Sequence, residues 1–72
     1  MLTVDVLTLT EALSRAANDA QRESLVFVSH RFRAEEFIRR ADGAFEFGRA
    51  NAGTIIGIVT RDGKVTSNRE QS

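Results

Sequence analysis

The sequence predicts a small α+β domain, in which a mostly antiparallel sheet carries one longer and one short helix. Three observations lead to this class: an alternating apolar segment near the N-terminus, a capped helical stripe after it, and two Asp-Gly dipeptides beside apolar runs. A chain of 72 residues is too short to close two hydrophobic cores. We therefore predict one domain over 1–66, followed by a disordered tail over 67–72 that has no apolar residue.

The N-terminal segment predicts a strand followed by a helix. Leu2, Val4 and Val6 are separated by polar residues, which is the period of a half-buried strand, so we assign residues 2–7 to it. Thr8 and Glu11 then have the spacing of a capping box. A helical stripe follows, and we expect it to form the longer helix: Leu9, Ala12, Leu13, Ala16, Ala17 and Ala20.

The middle of the chain predicts its secondary structure less clearly than the N-terminal segment does. Residues 25–32 are rich in branched and aromatic side chains and contain no turn former, which favours a strand. Residues 33–43 have the spacing of a short helix, with Glu35 and Glu36 each four residues before an arginine. The alternative is a hairpin around Asp42-Gly43, with Ile38 opposite Phe47. We favour the helix.

The C-terminal third predicts three short strands. Phe45 to Phe47 precede a glycine, residues 54–60 are apolar on both faces, and Asp62-Gly63 favours a tight turn that leads into residues 65–67. The expected order of elements is therefore β-α-β-α-β-β-β.

Composition excludes several classes of function. Ten basic and ten acidic residues give a formal charge of zero, and the chain has no cysteine and one histidine. Thiolate chemistry and cysteine metal sites are therefore excluded, a single histidine cannot supply a ligand cluster alone, and we expect no metal and no cofactor. No apolar run reaches the roughly 20 residues of a membrane span, so we predict a cytoplasmic protein without membrane contact.

Three apparent catalytic or binding patterns do not meet their chemical requirements. Ser29 and His30 would point to opposite faces of the predicted strand and could not act together. His30 with Glu35 or Glu36 has no recognised metal-site spacing. The glycine-containing segment 48–54 resembles a phosphate loop but lacks its lysine and precedes a strand. We therefore predict that the chain is not an enzyme.

One group of residues has the composition of a binding surface. Arg31 and Arg33 would share a face of the predicted strand, with an aromatic ring between them and two further arginines nearby. We predict that these residues bind a partner: Arg31, Phe32, Arg33, Arg39 and Arg40. Phe32 is the expected exposed anchor, whereas Phe27, Phe37, Phe45 and Phe47 are expected in the core.

Strands that are apolar on both faces need cover on both sides, and the two predicted helices are too small to provide it. A small chain without disulfides or metals often gains this cover by pairing. We therefore predict a homodimer joined through the sheet, with an interface formed by Val26, Val28, Ile56, Gly57 and Ile58.

Together these features predict a small regulator or inhibitor that binds another protein stoichiometrically. By analogy of size and class, such chains include the proteins that phages and other mobile elements deploy against bacterial machinery. A nucleic-acid-binding regulator that uses Arg31, Arg33, Arg39 and Arg40 is one alternative. A structural subunit of a larger assembly is another.

Overall fold

The computed structural model, which describes residues 5–49 and 55–67, has two helices followed by a four-stranded antiparallel sheet. The strands are neighbours in chain order. The α+β class is confirmed, but the interleaved order β-α-β-α-β-β-β is wrong. The elements are α1 (Leu9–Ser14), α2 (Asp19–Arg31), β1 (Glu36–Arg39), β2 (Phe45–Gly48), β3 (Ile55–Val59) and β4 (Val65–Ser67).

The predicted longer helix is two helices. The capping box at Thr8 is confirmed, because its hydroxyl accepts from the Glu11 N–H and the Glu11 carboxylate accepts from the Thr8 N–H. α1 ends at Ser14, and Asn18 then caps α2 by accepting the Gln21 N–H at 2.8 Å. An asparagine side chain that binds nearby backbone competes with the continuous helix, which explains the interruption.

Residues 25–31 lie in α2, so the predicted strand over 25–32 is wrong. Gln21, Leu25 and Val28 are fully buried and follow the spacing of one helical face. A capped start and the burial of that face outweigh the strand preference of the valines.

The predicted strand over 2–7 does not form in residues 5–7, the part of it that the structure describes. Residues 1–4 lie outside the described residues, as does most of the predicted tail, residues 68–72. Leu7 forms only an isolated antiparallel bridge, donating to Phe37 O at 2.7 Å and accepting from Phe37 N at 2.9 Å. It thereby extends the sheet beside β1 by one residue.

The segment 33–43 contains the first strand and the turn of a hairpin. The favoured short helix is therefore wrong, and the alternative prediction of a hairpin around Asp42-Gly43 is confirmed, although its register differs. In the first turn, residues 40–44, Arg40 N donates to Ala44 O at 2.7 Å. Gly43 has a φ of +90°, which closes a three-residue loop. This loop is one residue longer than expected, so Ile38 lies opposite Glu46 and not Phe47.

The second turn, residues 60–64, has the same geometry. Thr60 N donates to Lys64 O at 2.8 Å, and Gly63 has a φ of +91°. The Thr60 hydroxyl also donates to the Asp62 carboxylate, and this hydrogen bond lowers the pKa of Asp62. The last three strands are therefore confirmed, although residue 54 of the predicted strand over 54–60 lies outside the described residues. A turn at Asp62-Gly63 is also confirmed, but its loop has three residues and not two.

The core lies between the helices and one face of the sheet. Its fully buried side chains include Phe37, Phe45, Phe47 and Val59 from the strands and Leu25 and Val28 from α2. Between Phe47 and Gly48 the pairing with β3 shifts, and Ile56 packs into the same core. Gly57 passes beneath the Phe47 ring, where an added Cβ would lie 2.6 Å from Phe47 Cζ.

A row of polar side chains on α2 binds the second turn. Asn18 Nδ2 donates to Arg61 O at 3.0 Å, Gln21 Nε2 to Thr60 O at 3.1 Å, and Ser24 Oγ to Gly63 O. These side chains are spaced three residues apart and therefore lie along one side of the helix. They fix the direction of α2 across the sheet.

Gln21 also reaches the first turn. Its amide nitrogen donates to Gly43 O at 2.8 Å, and its amide oxygen accepts the Ala17 N–H at 2.7 Å. The side chain is fully buried, so these groups depend on it for hydrogen bonds. One amide thus connects both turns with the segment between the helices.

Replacing Gln21 with leucine is expected to lower the free energy of unfolding by about 3 kcal/mol, because Gly43 O and the Ala17 N–H lose their hydrogen bonds to this side chain and Thr60 O loses one of its two. Urea denaturation followed by circular dichroism measures this change. Ser29→Ala in the same helix is the control, since Ser29 Oγ donates only to Val26 O in its own helix. Equal midpoints for the two variants would contradict the role of Gln21.

Candidate functional site

The residues predicted to bind a partner fall into two groups. Arg31 is the last residue of α2, and Phe32 and Arg33 follow it directly. Arg39 ends β1 and Arg40 begins the first turn. Because β1 separates the groups by about 13 Å of extended chain, they do not form one continuous patch.

The first group includes one member of a chain of three aromatic rings. The half-buried Phe32 ring lies 5.5 Å from the Phe47 ring and 6.4 Å from the Phe27 ring, which it meets edge to face. The Arg31 guanidinium lies 5.7 Å from the centroid of the Phe32 ring, which is a cation–π distance. Phe27 is 51% exposed, so its expected place in the core is wrong.

A third arginine joins this end of α2. Arg49 Nε donates to Phe32 O at 3.3 Å, although the two residues are 17 positions apart in the chain. We call Arg31, Phe32, Arg33 and Arg49 the arginine cluster.

Sequence patterns give no signal for Arg49, because its position depends on the β2 pairing. The exposed ring of Phe27 could have been found, since it falls outside the helical stripe that contains Leu25 and Val28.

Arg33 has a left-handed backbone, with a φ of 56°. This conformation ends α2 and is usual for glycine, whereas for other L-residues it costs about 1–2 kcal/mol. A large charged residue therefore occupies a position that local backbone preference disfavours. Such positions concentrate at functional surfaces.

The arginine cluster is electrostatically unbalanced. Within residues 5–49 and 55–67, none of its arginines lies within 4.0 Å of a carboxylate oxygen, and the ion pairs present are Arg22–Asp19 and Arg40–Asp42. The helical pairs expected for Glu35 and Glu36 do not form, because those residues belong to an extended segment. In the part of the chain that the structure describes, the three arginines of the cluster therefore have no carboxylate partner.

The residues predicted as a dimer interface occupy different environments. Val28, Ile56 and Gly57 are buried within the chain. Ile58 is half-buried and lies opposite Glu46 and Thr66, on the sheet face that alternates with the core. Val26 is exposed on α2. Because residues 25–28 are helical, the two-faced strand on which part of this prediction depended does not form. The dimer itself stays a prediction.

Two of the residues considered as catalytic or metal-binding in the sequence lie in a helix and not in the predicted strand. Ser29 and His30 are consecutive in a helix, and the Ser29 hydroxyl donates to Val26 O at 2.8 Å. Across the part of the chain that the structure describes, no three His, Cys, Asp or Glu residues are grouped as metal ligands. In the same residues, no helix has the length and apolar character needed to span a bilayer.

Comparison with known proteins found no matching family model, no similar curated protein and no similar solved structure. The arginine cluster is therefore interpreted from its own geometry.

Arg33→Gly is expected to raise the free energy of unfolding by about 1 kcal/mol, because glycine adopts the left-handed conformation without steric strain. Arg39→Gly removes the same side chain from a strand and should lower stability by about 0.5–1 kcal/mol. Denaturant titration of both variants measures the two shifts. Destabilisation by both substitutions would contradict the left-handed conformation of Arg33.

Proposed function

We propose that this chain is a non-enzymatic regulatory or inhibitory protein that binds another protein stoichiometrically through the arginine cluster. The observation that carries the proposal is a set of three arginines without ion-pair partners in the described residues: Arg31 lies over the Phe32 ring, Arg49 binds the Phe32 carbonyl, and Arg33 follows Phe32 in the chain. Arginine and aromatic residues are enriched at the energetically dominant positions of protein interfaces. The strained backbone of Arg33 supports the same interpretation.

The chemistry of the cluster specifies the partner. Guanidinium groups bind carboxylates through two parallel hydrogen bonds, so the complementary surface has clustered Asp or Glu side chains. The exposed Phe27 ring beside Phe32 provides an apolar contact next to these charges. The expected partner segment is therefore acidic, with at least one large apolar side chain among its carboxylates.

A nucleic acid is the less favoured partner. That alternative depended on four arginines acting on one surface, and Arg39 and Arg40 lie at the other end of β1. The chain also has a formal charge of zero, whereas proteins that bind the phosphate backbone neutralise many phosphates at once. The combination of exposed ring and few cations is better suited to a protein surface.

Selection from a random peptide display library on the immobilised chain tests this proposal. We expect enrichment of peptides that combine several carboxylates with a large apolar residue. Arg31→Glu with Arg33→Glu should weaken binding of the selected peptide by about 100-fold or more, because two charge-assisted contacts become repulsive. Arg39→Glu with Arg40→Glu changes the net charge equally and should have little effect.

Three results would overturn the proposal. The first is a selection without enrichment, and the second is equal loss of binding in both double variants. The third is tighter binding of a short DNA duplex than of any selected peptide, with affinity that falls steeply as salt is added. That third result would assign the cluster to nucleic acid.

A further inference from the structure

The side of α2 that faces away from the sheet has an apolar centre. We call Asp19, Glu23, Val26, Phe27 and His30 the outer face of α2, because their helical spacing places them opposite the buried residues of the helix. Val26 is 37% exposed and Phe27 is 51% exposed. Two adjacent large apolar side chains are thus in contact with solvent at the middle of the helix.

The two ends of this face differ in charge. Asp19 and Glu23 are near the N-terminus of α2, whereas His30 and Arg31 form its last turn. Asp19 is paired with Arg22, while Glu23 has no ion pair among the described residues. Among the described residues, a carboxylate without an ion pair, Glu23, is therefore at one end of the helix, and an arginine without an ion pair, Arg31, is at the other.

We infer that the outer face of α2 binds the same face of a second copy of this chain, with the two helices antiparallel. A two-fold axis between residues 26 and 27 places Glu23 of each copy opposite His30 of the other, beside Arg31. Val26 and Phe27 of the two copies meet at the centre. A two-fold interface requires such self-complementarity, and the reversed charges of the two ends provide it only in the antiparallel arrangement.

The surface shape agrees with this pairing. A shallow depression of about 460 Å³ beside Val26 is lined by Asp19, Arg22, Glu23 and Val26. The Phe27 ring projects from the neighbouring helical position, and in the antiparallel arrangement it enters the depression of the other copy. A side chain that fills a hollow between residues of a facing helix is the usual unit of helix–helix packing.

This dimer differs from the one predicted from the sequence. The predicted interface used sheet residues, of which Ile56 and Gly57 are buried, and it retains only Val26 here. The inference does not require the arginine cluster to bind a partner, but Phe27 and Arg31 belong to both proposed surfaces, so self-association and partner binding through these residues exclude one another.

Sedimentation velocity over about 10 μM to 1 mM, the range of weak interfaces, tests the inference first. We expect a particle of twice the 8.0 kDa chain mass. Val26→Asp should raise the dimer dissociation constant about tenfold or more, because it places a charge in the apolar centre. Val6→Asp is the matched control, since Val6 is 52% exposed outside the helix, and it should leave dimerisation unchanged.

A charge-exchange experiment tests the antiparallel orientation. Glu23→Arg and His30→Glu should each weaken self-association about three- to tenfold, because the first places an arginine opposite the end that contains Arg31 and the second places a carboxylate opposite Glu23. An equimolar mixture of the two variants should associate more tightly than either alone, since opposite charges then face each other across the interface. Circular dichroism establishes that each variant keeps its helices.

A monomer throughout the concentration range would overturn the inference. So would a dimer that Val26→Asp and Val6→Asp affect equally, or a mixture that associates no better than its two components. None of these results changes the peptide-binding test of the arginine cluster, so failure of one proposal is distinguishable from failure of the other.

Discussion

The fully buried amide of Gln21 joins parts of the chain that are far apart in sequence. It donates to Gly43 O and Thr60 O, one carbonyl from each hairpin turn, and accepts the N–H of Ala17 from the segment before α2. In the antiparallel strand order β1-β2-β3-β4, the β1–β2 and β3–β4 turns lie at the same end of the sheet, so one side chain reaches a carbonyl near each turn. Because a buried backbone group without a partner is strongly unfavourable, the position of α2 and the positions of both turns are mutually dependent.

The two proposed surfaces follow from this placement of α2. With Leu25 and Val28 held in the core, Val26 and Phe27 must point outward. The helix ends at Arg31, the ring of the following Phe32 packs on Phe47, and the left-handed Arg33 then turns the chain toward β1. Strand pairing brings Arg49 to the same place. An anchored helix therefore presents apolar side chains along its outer face and cations at its end.

Local signals in the sequence predict the features that depend on neighbouring residues. The capping box at Thr8 and the turn at Asp62-Gly63 are found directly, because their chemistry is confined to a few consecutive positions. The first turn was ambiguous since residues 33–43 satisfy both a helical stripe and a hairpin. Pairing of β1 with β2, which buries Phe37 and Phe47 together, decides between them.

The wrong prediction of a strand over residues 25–32 has an identifiable cause. Residues 25–32 resemble a strand when taken alone, and the signal for a helix lies upstream, where Asn18 and Gln21 have the spacing of a cap. Treating α1 and α2 as one helix concealed that signal. The arginine cluster was only partly predictable, because Arg31, Phe32 and Arg33 are consecutive whereas Arg49 arrives through tertiary structure. Separation of Arg39 and Arg40 from this cluster likewise required knowledge of β1.

Native-state hydrogen exchange of the Gln21 side-chain amide and the Ala17 backbone amide tests the central role of this glutamine most directly. If Gln21 holds both turns and α2 together, these protons exchange only through global unfolding, with the same opening free energy as the strand amides of Phe47 and Val59. Exchange of the Gln21 and Ala17 protons at rates near those of an unstructured peptide, while the strand amides stay protected, would contradict the account.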